Sequence, residues 1–386
     1  MSNDLRALMP KILAQGLITV RENIPMSLLV NKDFSLDSMN RGDTVNVSVP
    51  VAMGDAIDVT PAVYAAPTAD LVPTSIPIKL DQWKESPFTM TEKDLLEVDS
   101  NYPNRQIQEA ARAISRTIEK SLLNLYKFVP NTIGTVGTAP FTQESGSTPF
   151  PTHMGIGAIR AAKNVLSNNL TPEQDRYIVL NPDAEANAST LPQFSSAANA
   201  GSNLTIVEGQ IGRKFGFDWY SSTNIPVHTT TLAGSGAITA SGSANLQGSV
   251  SLTVAGVTTA ATPGDTFTIA GDPKPYSVLP GSTTGSLLVS PPLRRAFANG
   301  AVVTPVVQGA SAQNLVFHRD AFALVVRTLP NSQGGTDRMV ETFIDDVTGL
   351  PMRLEIAYQH KQWRYSFDVL YGVAALRPEM ATRLLG

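Results

Sequence analysis

The stretch 103-PNRQIQEAARAISRTIEKSLLNLYKF-128 is the segment that decides the fold. Its apolar residues recur at intervals of three and four, which is the period of one helix face. That stripe contains Ile107, Ala110, Ala111, Ile114, Ile118 and Leu125. At about 1.5 Å per residue, the segment predicts a helical rod of roughly 35–40 Å, long enough to span a domain.

The opposite side of this predicted helix is charged. Its residues are Arg105, Glu109, Arg112, Arg116, Glu119 and Lys120. Such a face is solvated in an ordinary protein, whereas in an assembling protein it also forms salt bridges to a neighbour or a scaffold. Both interpretations stay open, and Arg105, Arg112 and Arg116 are candidate intersubunit contacts.

Residues 42–96 predict a long extended loop. Thr44 to Val51 alternates apolar and polar residues, and a second extended stretch runs from Ile76 to Trp83 after a proline-rich passage. A lone two-stranded hairpin is marginally stable and needs a partner surface. We expect that partner to be another copy of the chain, with Lys79, Trp83 and Lys84 as candidate contacts.

Residues 229–308 differ in composition from the rest of the chain. No charged residue occurs from Thr229 to Gly264, and short alternating stretches are separated by Gly and Pro turns. The alternating apolar residues, expected to face inward, are Val250, Leu252, Val254, Phe267, Ile269, Tyr276, Val278, Leu287, Val289, Val302 and Val306. Regularly spaced short strands predict a small β-barrel or sandwich, folded as an insertion.

The remaining segments mix helix and strand. Residues 2–20 predict an amphipathic helix that either packs on its own domain or docks as an arm on a neighbour. Asp320 is expected to cap a short helix running through Ala321 to Val325. Alternation on both sides of a polar turn at Gln359 to Gln362 predicts an antiparallel hairpin. The fold class is therefore α+β.

Composition argues against several functions. The 386 residues carry a net charge of −4, and the densest basic spots are only pairs, so tight nucleic-acid binding is not expected. The absence of cysteine excludes disulfides and thiol chemistry and fits a reducing cytosol. No apolar run approaches the length of a membrane span, and no leader segment is expected.

No catalytic pattern is found. The sequence has no nucleophile elbow in a His/Asp context and no phosphate-binding loop, and its four histidines lie far apart, as structural histidines do. We expect no enzyme activity, no catalytic, cofactor or metal site, and no cofactor.

Several stretches resemble the coat proteins of short-tailed bacteriophages. They are 86-SPFTMTEKDLL-96, 211-IGRKFGFD-218, 314-NLVFHRDAFA-323, 366-SFDVLYG-372 and 376-LRPE-379. The order of N-terminal helix, extended loop, long helix, α/β region and closing sheet resembles the Hong Kong 97-type capsid fold. In the gene-five-like coat family a six-stranded β-barrel is inserted into the apical domain, and residues 229–308 fall at that place.

The resemblance implies a division of the chain into six parts. These are an N-terminal arm (1–41), an extended β-loop (42–96), the spine helix of a peripheral domain (97–130), an apical and peripheral α/β region (131–228), an inserted β-barrel (229–308), and the remainder of the apical domain with the closing peripheral sheet (309–386).

The resemblance also implies a function. It is that of a major capsid protein forming hexamers and pentamers of itself in an icosahedral shell around double-stranded DNA. The implied partners are a scaffolding protein, a portal and a decoration or cement protein, with packaged DNA contacted only weakly and no membrane. The implied location is the virion, assembled in the bacterial host cytoplasm.

Two other functions are also compatible with the sequence. An encapsulin-like compartment shell would share the fold but has no reason to carry the inserted barrel. A β-rich receptor-binding or adhesin protein of the virion could use residues 229–308, but it would not need the long helix, and no repeat typical of β-fibres is found.

Overall fold

The computed structural model describes residues 25–33, 44–49, 74–93, 102–141, 155–195, 209, 211–242, 245–327, 329, 338–344 and 350–386. The predicted helix over residues 2–20 and most of the predicted extended loop lie outside these residues. The helices are α1 (Pro25–Leu29), α2 (Tyr102–Leu123), α3 (Ile156–Asn168), α4 (Pro182–Thr190) and α5 (Pro192–Ser195).

Twenty strands are described. They are β1 (Thr44–Val49), β2 (Thr74–Lys79), β3 (Gln82–Thr91), β4 (Thr132–Ile133), β5 (Arg176–Leu180), β6 (Arg213–Lys214), β7 (Phe217–Ser221), β8 (Val227–Thr229), β9 (Ala233–Ala240), β10 (Ser251–Thr259), β11 (Thr266–Ile269), β12 (Asp272–Val278), β13 (Ser286–Ser290), β14 (Val302–Pro305), β15 (Ala310–His318), β16 (Phe322–Arg327), β17 (Arg338–Ile344), β18 (Pro351–Gln359), β19 (Gln362–Ala375) and β20 (Ala381–Leu385).

Helix α2, called the spine helix below, forms where the sequence predicts it. Its last turn tightens into a 3₁₀ helix at Asn124–Phe128. The apolar stripe from Ile107 to Leu125 is buried. One expectation for this helix is wrong: Glu119 is buried and does not lie on the charged face. It stands four residues after Ser115 and three before Leu122, which are both buried, so the helical period turns it inward.

The spine helix packs on a five-stranded antiparallel sheet built around β19. This strand pairs with β3, β16 and β18, and β17 pairs with β18. The core between helix and sheet contains Ile114, Ile118, Leu354, Phe367 and Tyr371.

The β18–β19 hairpin follows the prediction closely. Gln359 pairs with Gln362 across a two-residue turn. Both turn residues, His360 and Lys361, have positive φ angles of 51° and 62°, as a type I′ turn requires.

The predicted helix from Ala321 to Val325 is wrong. Residues Arg319–Ala321 form one 3₁₀ turn, and β16 begins at Phe322. All residues from Phe322 to Val326 are buried, since β16 is covered on both faces. A continuous apolar run is ambiguous between helix and strand, and here pairing with β19 decides for strand.

A seven-stranded sheet forms the second layer. Its order is β4-β20-β15-β5-β7-β6, with β8 also paired to β15. Helix α3 packs on this sheet through Ile159, Ala162 and Leu166, which share a core with Ile178 and Phe217. Leu315 and Phe317 of β15, a strand of this sheet, pack in the same apolar core as the spine helix. The two layers are therefore joined through one core.

Strands β1 and β2 form a two-stranded ribbon at the base of the predicted extended loop. Val45, Val47 and Ile78 are buried against Ala323 and Val325 of the same chain. These apolar side chains therefore stabilise the subunit itself. At its base the ribbon finds its partner surface within the same chain, whereas the sequence predicted a partner surface on another copy.

The inserted region folds as a closed six-stranded barrel. Its strand order is β10-β13-β12-β11-β14-β9, and it encloses its own core around Phe267, Tyr276 and Leu287. The α+β class and the small inserted barrel predicted from the sequence are both confirmed. Three inward assignments are wrong, because Val250, Val302 and Val306 are exposed.

The register of β14, which turns Val303 inward and Val302 outward, can be tested directly. Val303 is 2% exposed and its neighbour Val302 is 43% exposed. We predict that Val303→Ala lowers the free energy of unfolding of the barrel by about 2 kcal/mol, because it removes two buried methyl groups. The matched variant Val302→Ala should cost less than about 0.5 kcal/mol. Hydrogen exchange of the barrel amides measures both, and equal effects would contradict this register.

Candidate assembly surface

The candidate residue Trp83 lies on β3 and exposes most of its ring. Its exposed fraction is 63%, although β3 is paired to β19 along its full length. The indole N–H donates a hydrogen bond of 3.0 Å to Oδ2 of Asp368 on β19. The polar edge of the ring is thus fixed while its apolar surface faces solvent.

Asp368 is held in turn by Arg353 of β18. Arg353 Nε donates to Asp368 Oδ1 at 2.8 Å, and a second guanidinium N–H donates to Oδ2, so the pair is bidentate. Both side chains are almost buried. A bidentate pair of this kind fixes geometry as well as charge. Trp83 is therefore presented as a preorganised aromatic, which is the kind of residue that anchors protein interfaces.

A second ion pair follows on β3. Glu85 pairs with Arg364 of β19 and accepts a 2.6 Å hydrogen bond from Ser366 Oγ. That hydrogen bond, aided by Arg364, lowers the pKa of the Glu85 carboxyl. Both ionic groups are about half exposed, so the pair adds little to stability and mainly orders the strand surface.

Lys79 and Lys84 are the other candidates on this segment, and both are exposed. The backbone at Lys79 is fixed by a close approach to β19. A Cβ atom at Gly372 would lie 2.3 Å from Lys79 O, so only glycine permits this crossing. Lys79, Trp83 and Lys84 therefore stand at the point where the ribbon joins the sheet.

The spine helix carries the remaining candidates. Arg112 and Arg116 are exposed, and Lys120 continues the row four residues further. Arg112 pairs with Glu109 one turn earlier. The side chain of Arg105 lies outside the described residues. Because β3 packs against the spine helix, the two candidate groups lie on adjoining elements.

A polar joint at Glu119 is a feature that was not predicted from the sequence. Its Oε1 accepts from Ser222 Oγ at 2.7 Å, and its Oε2 accepts from Asn224 Nδ2 at 2.6 Å. Burial raises the pKa of the Glu119 carboxyl, and the two hydrogen bonds oppose that rise in part. The joint ties the spine helix to the segment that leads into β8. The helical period alone could have placed Glu119 inward, but nothing in the sequence names its partners.

The described part of the chain holds no group of three His, Cys, Asp or Glu residues arranged for a metal ion. Within the same residues no helix is both long and apolar enough to cross a membrane.

Comparison with known proteins agrees with this architecture. A family model described as phage capsid protein matches residues 73–249, which run from the start of β2 into the barrel. No curated protein matches the chain.

The chain is similar in fold to several solved structures. One from Mycobacterium phage Che8 is 16% identical and matches 92% of this chain and 88% of its own, with a TM-score of 0.50. A capsid structure of Cyanophage P-SCSP1u is 13% identical over 89% and 84%, with a TM-score of 0.47. A capsid of a native GTA particle is 9% identical over 92% and 91%, with a TM-score of 0.44.

The family match over residues 73–249 and the likeness of fold to a phage structure both support a capsid shell protein. They support a phage major capsid protein, and they confirm the resemblance found in the sequence together with its fold class, a Hong Kong 97-type capsid fold with a small inserted barrel. The assignment to the short-tailed-phage subgroup stays a prediction.

The Glu119 joint predicts a pH dependence. Because the folded-state pKa is raised above the ordinary value of 4.5, protonation favours the folded chain. The contribution of Glu119 to stability is therefore greatest below that value and is lost as pH rises through the folded pKa. We predict that Glu119→Gln gains stability relative to the unsubstituted chain as pH rises above the ordinary carboxyl pKa of 4.5.

Urea unfolding at a series of pH values measures this difference. Glu109→Gln, which removes an exposed carboxylate from the same helix, controls for the change in net charge. Parallel stability curves for the unsubstituted chain and Glu119→Gln would show that the joint does not titrate as expected.

Proposed function

We propose that the chain is the major capsid protein of a bacteriophage and assembles with copies of itself into an icosahedral shell that encloses double-stranded DNA. The capsid shell class supports this proposal. The observation that carries it is the exposed indole of Trp83, held by the Arg353–Asp368 pair at the base of the ribbon. An ordered, exposed aromatic on a strand beside an extending ribbon suits contact with a second copy of the chain.

Shell cohesion then comes from repeated, individually modest contacts that close symmetrically. A standard interface buries about 1,600 Å² in total, and each subunit would make several. The sequence contains no cysteine, so disulfides cannot contribute to the strength of the shell. Lys79, Trp83 and Lys84 are proposed to meet a neighbour beside the ribbon.

The charges of the subunit fit a container for DNA. A net charge of −4 gives no general attraction to phosphate, so packaged DNA would pack against the wall without binding tightly. The exposed row of Arg112 and Arg116 is proposed to meet an acidic segment of a neighbouring subunit or of a scaffolding protein. A portal and a decoration protein complete the proposed partners, and the proposed place of assembly is the host cytoplasm.

Electron microscopy of the chain expressed with the proteins encoded beside it tests the proposal. Closed icosahedral particles that package DNA are the expected result. Small shells that enclose a protein cargo would instead indicate an encapsulin-like compartment. The absence of any closed particle would overturn the shell function and favour a β-rich receptor-binding component.

The role of Trp83 can be measured separately. We predict that Trp83→Ala leaves the subunit folded but raises the concentration needed for assembly at least about tenfold, because truncating a buried interface aromatic costs about 2 kcal/mol or more. Sedimentation of assembled and free protein over a concentration series measures this change.

Leu246→Ala is the matched control for Trp83→Ala. Leu246 is an apolar residue with the same exposed fraction of 63%, but it lies in the barrel. Its truncation should leave the assembly concentration unchanged. An equal response of both variants, or normal assembly of Trp83→Ala, would remove Trp83 from the proposed interface.

A further inference from the structure

The inserted barrel meets the body of the subunit around one buried arginine. Arg383 lies on β20 and is 1% exposed. Its guanidinium donates to acceptors in three parts of the chain. These acceptors are Val129 O at 2.7 Å, Gly264 O at 2.7 Å, Ser277 Oγ at 3.1 Å and Gln313 Oε1 at 3.5 Å. Val129 follows the spine helix, Gln313 belongs to β15, and Gly264 and Ser277 belong to the barrel.

The barrel contributes a buried carboxyl group to the same region, and it interacts electrostatically with Arg383. Asp265 is fully buried, and its Oδ1 lies 2.8 Å from Nε2 of His228. The other nitrogen of that ring, Nδ1, lies 3.0 Å from the hydroxyl of Tyr126. The guanidinium carbon of Arg383 lies 5.5 Å from the centroid of the Tyr126 ring. Aspartate, histidine, tyrosine and arginine thus form one continuous chain of contacts across the junction.

The buried polar groups of this network have hydrogen-bond partners. Asp265 Oδ2 accepts backbone hydrogen bonds from Thr231, Leu232 and Thr262. Burial lowers the pKa of Arg383 to about 10, so the guanidinium keeps its charge near neutral pH. Removing any member leaves a buried polar group without its partner, which is costly in a medium of low dielectric constant.

Further contacts fix the barrel to the end of the spine helix. Ser277 Oγ donates to Lys127 O, and Ser290 Oγ donates to Phe128 O at 3.2 Å. A Cβ atom at Gly264 would lie 3.0 Å from Cε2 of Tyr126, so the two surfaces approach as closely as glycine allows. A flexibly tethered module would have no need of these contacts.

We propose that Arg383, with Asp265, His228 and Tyr126, is an orientation lock that holds the inserted barrel in one fixed position on the body of the subunit. The barrel has a closed strand ladder and its own core, so the lock sets its direction and not its fold. Arg383 acts here as a positioning residue. The inference concerns the single chain and stands independently of the proposed shell function.

The distance between the barrel and the body provides the readout. The chain has no cysteine, so exposed positions can be spin-labelled without background. Asn164 on α3 and Thr284 between β12 and β13 are both exposed. In the full chain carrying Asn164→Cys and Thr284→Cys, double electron–electron resonance should give one narrow distance distribution.

Substitution at Arg383 should change that distribution. We expect Arg383→Met to cause the loss of the single narrow distance, with broadening or a second population, while hydrogen exchange still protects the barrel strands. Arg383→Lys keeps the charge but not the fork of donors, and should restore the narrow distance only in part.

Arg176→Met is the matched control. Arg176 is also buried and donates to the backbone carbonyls of Thr171 and Pro172, which belong to the body and not to the barrel. Its loss should weaken the body without broadening the distance. Should Arg383→Met fail to fold, the milder pair Tyr126→Phe with Ser277→Ala removes two hydroxyls from the junction and is expected to broaden the distance. A narrow, unshifted distribution in every folded junction variant would overturn the lock.

Discussion

The burial of the apolar stripe of the spine helix against the sheet around β19 is the contact on which the rest of the structure depends. β19 is long enough to pair with β18 and β16 and also with β3. Its inward residues Phe367, Val369 and Tyr371 pack in the core that the spine helix covers. Because β3 is both part of this sheet and the continuation of the ribbon, the same core positions the candidate assembly residues.

Much of this architecture could be predicted because it follows local periods. The spine helix shows a period of three to four residues over its whole length, and the β18–β19 hairpin shows strict alternation around a polar turn. Where the local sequence pattern fits both helix and strand, pairing with a distant part of the chain determines which of the two forms. The run Phe322 to Val326 is apolar at every position, so only its place between two packed layers makes it a strand.

The candidate assembly surface was predictable in part for a different reason. A large aromatic residue on an extended segment, as Trp83 is, stands out in the sequence. The residue that holds the indole ring, Asp368, does not stand out in the sequence. It is 285 residues away and comes next to Trp83 only through the pairing of β3 with β19. Glu119 shows the same limit, since Ser222 and Asn224 lie more than a hundred residues further along the chain. Periodicity gives the face of an element, whereas polar partners depend on topology.

The junction between body and barrel illustrates why buried polar groups can be useful despite their cost. The body and the barrel each enclose an apolar core, so neither needs the other to bury its apolar side chains. An apolar contact between the body and the barrel would allow the barrel to rotate, because apolar packing has little directionality. Hydrogen bonds from a planar guanidinium do have direction, and a charged group that loses them is left buried and unpaired. The Arg383 network therefore sacrifices some stability relative to an apolar contact and gains a single orientation. In the proposed shell, where the outer contacts repeat in every copy, a fixed barrel would let each copy present the same surface.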